Sequence, residues 1–183
     1  ILNEKSVIDK QFWNLIEKYK VTNFAGVPYT YQILDRINFY KKNLKYVKFL
    51  TQAGGKLDLE INKRILDKFC KNSKKFIIMY GATEATARMS YLPSQFLIKK
   101  LGSIGVPIPG GKFLLENING KMIKKSFTKG ELVYSGKNVF MGYCTKLVDL
   151  SKGDENYGIY RTGDLAYKDN DNFFYICEEK TEM

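Results

Sequence analysis

At 183 residues, 44% apolar and 14% aromatic, the chain has the length and composition of one globular domain or two small ones, which excludes a disordered or fibrous protein. Thirty basic residues against 19 acidic ones leave a net charge of +11, which raises nucleic acid or an anionic membrane as partners. Arg36, Arg64, Arg88 and Arg161 are the only arginines; lysine supplies the rest and is scattered along the sequence. Lysine lacks the planar fork that reads bases and phosphates bidentately, so a lysine-solvated surface is expected, with no nucleic acid bound. A basic α/β protein that binds nucleic acid stands as an alternative. Cys70, Cys144 and Cys177 are odd in number, widely spaced and without histidine partners, which argues against a zinc site or a disulfide framework and for a reducing cytoplasm. No apolar run reaches membrane-spanning length, and Ile1-Leu2-Asn3-Glu4 has neither an initiator Met nor signal-peptide features, as expected of a cut through a longer sequence.

Val7, Ile8, Phe12, Leu15, Ile16 and Tyr19 recur at helical spacing with charged residues between them, predicting an amphipathic helix. Val21 to Ala25 is a β-prone run ending at Gly26-Val27-Pro28, and a second helix is expected around Tyr31 to Phe39. Tyr46 to Leu50 predicts a second strand closed by Ala53-Gly54-Gly55. Ile61, Ile65, Leu66 and Phe69 mark a third helix, and Lys75 to Tyr80 a third strand running into Gly81. Strands alternating with helices predict parallel β-α-β units, with ligands at the carboxyl ends of the strands. After about Pro93 the pattern changes to short β-prone runs: Lys112 to Leu115, Met122-Ile123, Glu131 to Ser135, Val139 to Tyr143, Leu165 to Tyr167 and Phe173 to Cys177. Asn119-Gly120 and Asp169 to Asn172 are the expected turns. The expected fold is therefore α/β, a parallel β-α-β lobe over residues 1–98 followed by a small antiparallel β-barrel or sheet over residues 99–183.

Four segments carry the chemistry: Tyr80-Gly81-Ala82-Thr83-Glu84, Gly130-Glu131-Leu132, Gly142-Tyr143 and Tyr160-Arg161-Thr162-Gly163-Asp164. Each alone is a turn or a helix start. In this order and spacing, together with Gly102 to Pro107 and Pro109-Gly110-Gly111, they resemble the AMP-forming, adenylate-forming enzymes, and the similarity covers nearly the whole chain. The resemblance implies a ligase that activates a carboxylic acid with ATP to an acyl-adenylate, for transfer to the thiol of CoA or a carrier protein. It implies that Tyr80 stacks on adenine, with Gly81 and Ala82 beside it, and that Thr83 bonds the α-phosphate. Glu84 would hold Mg²⁺, and Asp164 would accept from the ribose hydroxyls. Gly54, Gly55 and Lys56 would lie along the adenine plane, Gly54 also walling the acyl pocket, and Val27, Pro28 and Tyr29 would line the acyl side. Lys56 taken alone reads as a solvated loop lysine. Tyr80 to Pro93 looks most like the acyl-CoA-synthetase branch.

The same resemblance places the family's lysine-bearing phosphate loop before this region and its small domain with a catalytic lysine after it. The chain is thus expected to be the later half of the large N-terminal domain, inactive alone, either as part of a longer ligase or as a truncated remnant that binds without turning over. Glu178-Glu179 stands where the family commonly carries Gly-Arg, and a carboxylate there opposes nucleotide binding.

Overall fold

The computed structural model describes residues 4–71 and 73–178, which fall into two compact units: residues up to Ile78 with Pro93–Gly102, and Met79–Leu92 with the residues from Ser103 onward. In the first unit three strands, β1 (Asn23–Gly26), β2 (Phe49–Gln52) and the start of β3 (Lys75–Tyr80), pair in parallel in the order β1-β2-β3. Helices α1 (Lys10–Lys18), α2 (Pro28–Arg36) and α3 (Leu59–Lys68) precede and connect them, the arrangement that parallel neighbours require. The helices and strands bury Tyr31, Leu34, Leu50, Ile65 and Phe76. Tyr31 packs edge-on against Phe76 at 5.5 Å and donates its hydroxyl to the Thr51 carbonyl at 2.9 Å, which satisfies the polar end of a buried ring.

Helix α2 begins three residues before the expected Tyr31 because Pro28 occupies its first turn, where a missing N–H costs nothing and φ is preset. It ends at Arg36, and Phe39 belongs to a separate 3-10 turn, Phe39–Lys41. Strand β2 starts at Phe49 rather than Tyr46, since Val47 N–H is spent on a turn to the Leu44 carbonyl at 3.1 Å. At α3, the Asp58 side chain accepts from Glu60 and Ile61 N–H at 2.9 and 3.1 Å. Asp58→Ala leaves both donors to water and is expected to cost about 1 kcal/mol, read by urea denaturation.

In the second unit, β6 (Lys112–Glu116), β7 (Gly130–Ser135), β8 (Ile159–Lys168) and β9 (Phe174–Glu178) form an antiparallel sheet in the order β6-β7-β8-β9, a curled half-barrel rather than a closed one. Alternate residues face one way, so Phe113, Leu115, Leu132, Tyr134, Ala166, Phe174 and Ile176 pack with Ala85, Met89 and Ile104. Two short strands that the sequence does not announce, β4 (Ser90–Leu92) and β5 (Val106–Pro107), pair antiparallel. Met122 makes only an isolated bridge to Glu116. The expected strand over Val139 to Tyr143 does not form. Its backbone is committed elsewhere: Phe140 N–H donates to the Glu84 carbonyl at 2.7 Å, and Met141 accepts from Glu155 N–H at 2.7 Å. Glu179 lies outside the described residues, as does the side chain of Glu178.

Candidate active site

Strand β3 ends at Tyr80, and the chain then makes a loop that returns at Met89, whose N–H donates to the Tyr80 carbonyl at 2.9 Å. Gly81 starts the loop because a Cβ there would stand 2.6 Å from the Ala87 carbonyl oxygen. Thr83–Ala85 is a 3-10 turn, followed by Thr86 and Ala87 at φ +51° and +62°, left-handed conformations that cost a non-glycine residue on the order of 1–2 kcal/mol each. Such strain persists only where surrounding bonds over-determine it. Here Asn138 supplies them, donating to the Ala85 and Arg88 carbonyls at 2.7 and 3.2 Å while accepting from the Tyr134 hydroxyl at 2.8 Å.

Glu84 is therefore held on a braced loop. Tyr143 donates its hydroxyl to Glu84 Oε1 at 2.7 Å, so the segment 138–143 clamps this residue through both backbone and side chain. That hydrogen bond, with support from the Glu84 backbone and the Tyr160 hydroxyl, holds the Glu84 carboxyl below the usual glutamate range. Burial pushes the Tyr160 phenol up to about 12, the Glu84 carboxylate adding to the effect. Tyr143→Phe removes the largest of the bonds that favour the ionised form and is expected to raise the Glu84 pKa, followed by carboxyl carbon shifts in an NMR titration. A folded pKa below the unfolded one means that the stabilisation is present above the unfolded pKa and lost as pH falls through the folded value. The stability difference between parent and variant should accordingly shrink in acid.

Asp164 arrives from the opposite side of the sequence by a bulge. Glu131 and Val133 of β7 face Leu165 and Arg161 of β8, so Thr162, Gly163 and Asp164 together oppose Leu132 alone. Thr162 Oγ1 donates to the Leu132 carbonyl at 2.8 Å and accepts from Asp164 N–H at 3.0 Å, replacing the interrupted ladder. Gly163 takes φ +78°, and its N–H reaches Glu131 Oε1 at 3.3 Å. The result is that the Tyr80 hydroxyl donates to Asp164 Oδ2, 84 positions away in sequence. Burial, then the Asp164 carboxylate, raise the Tyr80 phenol well above its ordinary range.

These residues wall one cleft of about 570 Å³, within the roughly 300–1,000 Å³ of small-molecule sites. Tyr80, Gly81, Ala82, Glu84 and Asp164, all expected from sequence, line it; Thr83, exposed on the 3-10 turn, does not. Phe140, Tyr143, Asn156, Tyr160, Arg161 and Thr162 also line it, without having been assigned a role from sequence. Arg161 is ion-paired to Glu116 at 3.1 Å. Gly54, Gly55, Lys56, Val27, Pro28 and Tyr29 belong to the first unit. There the fold brings two of the expected segments together: a Cβ on Gly54 would lie 3.3 Å from Val27 Cγ1, and one on Gly55 3.5 Å from Pro28 Cγ. Buried Gln52 donates to the Gly55 carbonyl at 2.8 Å and fixes that turn, while Lys56 is exposed beside it.

Two carboxylates and three phenols, against one arginine that is itself paired with Glu116, make the cleft a hydrogen-bonding site for hydroxyls and cations rather than for a bare anion. Among the described residues no group of three or more His, Cys, Asp or Glu side chains could hold a metal ion. No helix among the described residues is long and apolar enough to cross a membrane.

A model of the AMP-binding enzyme family matches residues 2–144. The 4-hydroxybutyrate–CoA ligase 1 of Metallosphaera sedula is 28% identical over 180 residues, which cover 96% of this chain and 31% of that protein. The oxalate–CoA ligase of Arabidopsis thaliana is 30% identical over 175 residues, 94% of this chain and 33% of its own length. The o-succinylbenzoate CoA synthetase of Bacillus subtilis, solved with an acyl-adenylate intermediate, superimposes with a TM-score of 0.77 at 23% identity, over 93% of this chain and 33% of that one. The same synthetase solved with ATP and magnesium ion gives 0.74 at 24% identity, over 93% of this chain and 34% of that one. The chain spans about a third of the length of the curated relatives it matches.

Proposed function

Because the chain belongs to the family of AMP-binding enzymes, we propose that it forms the adenylate-handling part of an ATP-dependent acid–thiol ligase. In this reading a carboxylic acid attacks the α-phosphate of ATP and pyrophosphate leaves; the thiol of CoA or of a carrier protein then attacks the acyl carbon of the acyl-adenylate, breaking its bond to the phosphate and releasing AMP. The observation that carries the reading is the meeting of Tyr80, Glu84 and Asp164 in one cleft from segments far apart in sequence. Names of relatives that are CoA ligases support acyl transfer to CoA.

Asp164 has two acceptor oxygens and suits a ribose diol, with the Tyr80 hydroxyl holding one of them in place. Tyr80 offers an aromatic face to adenine, backed edge-on by Phe113 at 6.3 Å. Thr83 would reach the α-phosphate from the 3-10 turn. Gly54, Gly55 and Lys56 would serve the adenine side, and Val27, Pro28 and Tyr29, with Gly54, the acyl side. The partly exposed, ionised Glu84 fits a magnesium ion shared with the phosphates, which would offset their charge. Three free thiols suit a reducing cytoplasm. Spanning about a third of its relatives' length, the chain is expected to bind nucleotide weakly and not to turn over alone.

Calorimetric titration with AMP tests the reading. Asp164→Asn keeps the shape and removes the charge-assisted acceptor, and AMP should bind about tenfold more weakly, roughly 1.4 kcal/mol. The 2′,3′-dideoxy analogue should bind parent and variant alike. Equal loss for both ligands would show that Asp164 shapes the cleft without touching ribose.

A further inference from the structure

The net charge of this protein belongs almost wholly to one unit. Residues 4–78 and 93–102 hold eighteen Lys and Arg against seven Asp and Glu, an excess equal to the +11 of the whole chain, while the second unit is near neutral. Lysines that look scattered along the sequence are gathered by the parallel topology. In register, Asn23, Phe49 and Lys75 stand side by side at the start of β1, β2 and β3. Lys20 precedes the first of these strands, Lys48 the second and Lys74 the third, so lysines stand at the starts of three strands that neighbour one another in the sheet. Lys75 N–H bonds the Lys48 carbonyl at 2.8 Å, and Lys74 Nζ the Leu44 carbonyl at 2.8 Å. Lys20 and Lys45 both approach the Tyr46 ring, at 5.8 and 5.4 Å from its centre.

Among the described residues none of Lys20, Lys45, Lys48, Lys74 and Lys75 has an ion-pair partner. Complementing helix dipoles explains the basic last turns at Lys18 and Lys68, but Lys45, Lys48, Lys74 and Lys75 are not helical. Like charges gathered without counter-charges repel one another and attract an external anion. Exposed apolar side chains stand in the same stretch, Tyr19 at 55% and Phe49 at 38% exposure, directly beside Lys20 and Lys48.

We propose that this strand-start edge, Lys20, Lys45, Lys48 and Lys75 with Tyr19 and Phe49, docks on the surface of an anionic lipid bilayer. Lysine is suited to a field of headgroup phosphates because it needs no bidentate geometry, and tyrosine and phenylalanine beside it enter the interfacial layer. A nucleic acid fits less well: the unit's arginines are only Arg36 and Arg64, the latter bound to Asp35 at 2.8 Å, and the Tyr46 ring is already met by two ammonium groups rather than open to a base. The contact is peripheral and independent of the cleft's chemistry.

The test is co-sedimentation of the chain with vesicles of phosphatidylcholine alone and of phosphatidylcholine mixed with phosphatidylglycerol, at low and high salt, beside a single-stranded oligonucleotide titration. Binding is expected only to the anionic vesicles and to weaken with salt. The triple variant Lys20→Gln, Lys45→Gln, Lys48→Gln should bind about a hundredfold more weakly, at about fivefold per lysine. All three side chains are exposed, and unchanged circular dichroism confirms the fold. Lys121→Gln, Lys124→Gln, Lys125→Gln removes the same charge from the other unit and should bind as the parent does. Equal loss in both triple variants, binding to phosphatidylcholine alone, or a preference for the oligonucleotide would each overturn the proposal.

Discussion

Gly105→Ala should destabilise the second unit by about 3–4 kcal/mol, a large part of the 5–15 kcal/mol typical of a folded protein. An ideal Cβ on Gly105 stands 1.9 Å from the Tyr91 carbonyl oxygen and 2.5 Å from Leu92 N. Both atoms are backbone of β4, so no side-chain rotation relieves the clash. Relief requires parting β4 from β5, whose pairing sets Tyr91 against Val106. Gly105 is also pinned from elsewhere, its N–H by Ser103 Oγ at 2.9 Å and its carbonyl by Phe174 N–H at 3.1 Å. Its φ of +83° adds the ordinary penalty of a left-handed alanine. Gly110, at φ +86° with nothing within 4 Å of its would-be Cβ, isolates that penalty: Gly110→Ala should cost only about 1 kcal/mol. Urea denaturation of both variants separates the two effects, and equal midpoints would mean that β4 yields to the extra methyl group.

The parallel half was legible because each strand and helix there is long enough to show its period. Helix α3 shows apolar residues at helical intervals after an Asp cap, and β3 is a continuous apolar run ended by glycine. The antiparallel half was legible in its longer strands, β6, β7 and β9, and at the turn after β6, where the Asn117 side chain accepts from Asn119 and Lys121 N–H at 3.0 and 2.9 Å. Strands of two and three residues, such as β5 and β4, cannot display an alternation. Val139 to Tyr143 misled for the opposite reason. It has the composition of a strand, but its hydrogen bonds go to the Glu84 loop and to Glu155, a choice made by tertiary contacts alone.

The same limit applies to the site. Tyr80, Glu84 and Asp164 could be singled out from the motifs that contain them, and the cleft gathers all three. The Tyr143–Glu84 bond joins residues 59 positions apart, which no local spacing encodes. Thr162-Gly163-Asp164 reads as a corner in sequence. In the sheet it is a bulge inside a ten-residue strand, where the three residues act separately: Thr162 replaces a ladder bond, Gly163 takes the left-handed turn and Asp164 meets Tyr80. Most of the excess positive charge already lies in residues 4–78 of the sequence, and the fold adds Lys99 and Lys100 to the same unit.

Glu84→Gln should remove the dependence of ATP binding on magnesium. Two carboxylates face the cleft, and a triphosphate without a cation adds like charge to them. The parent is therefore expected to bind ATP more tightly with Mg²⁺ than with a chelator. Glutamine keeps the length and can still accept from Tyr143, so the loop over Thr83–Ala85 should hold its shape while the charge is lost. Losing one charge-assisted contact of about 2 kcal/mol corresponds to a roughly thirtyfold weaker Mg²⁺–ATP complex. Binding in chelator should improve slightly, because a like charge has gone. Tyr143→Phe is the counterpart: it leaves the carboxylate but frees Glu84 Oε1 from the phenol, so magnesium-dependent binding should be retained or strengthened. Both variants are compared with the parent by calorimetric titration at fixed ionic strength. A magnesium effect that survives Glu84→Gln unchanged would place the cation elsewhere and leave Glu84 as a brace for the loop, in which case Tyr143→Phe should lower stability without touching the magnesium dependence.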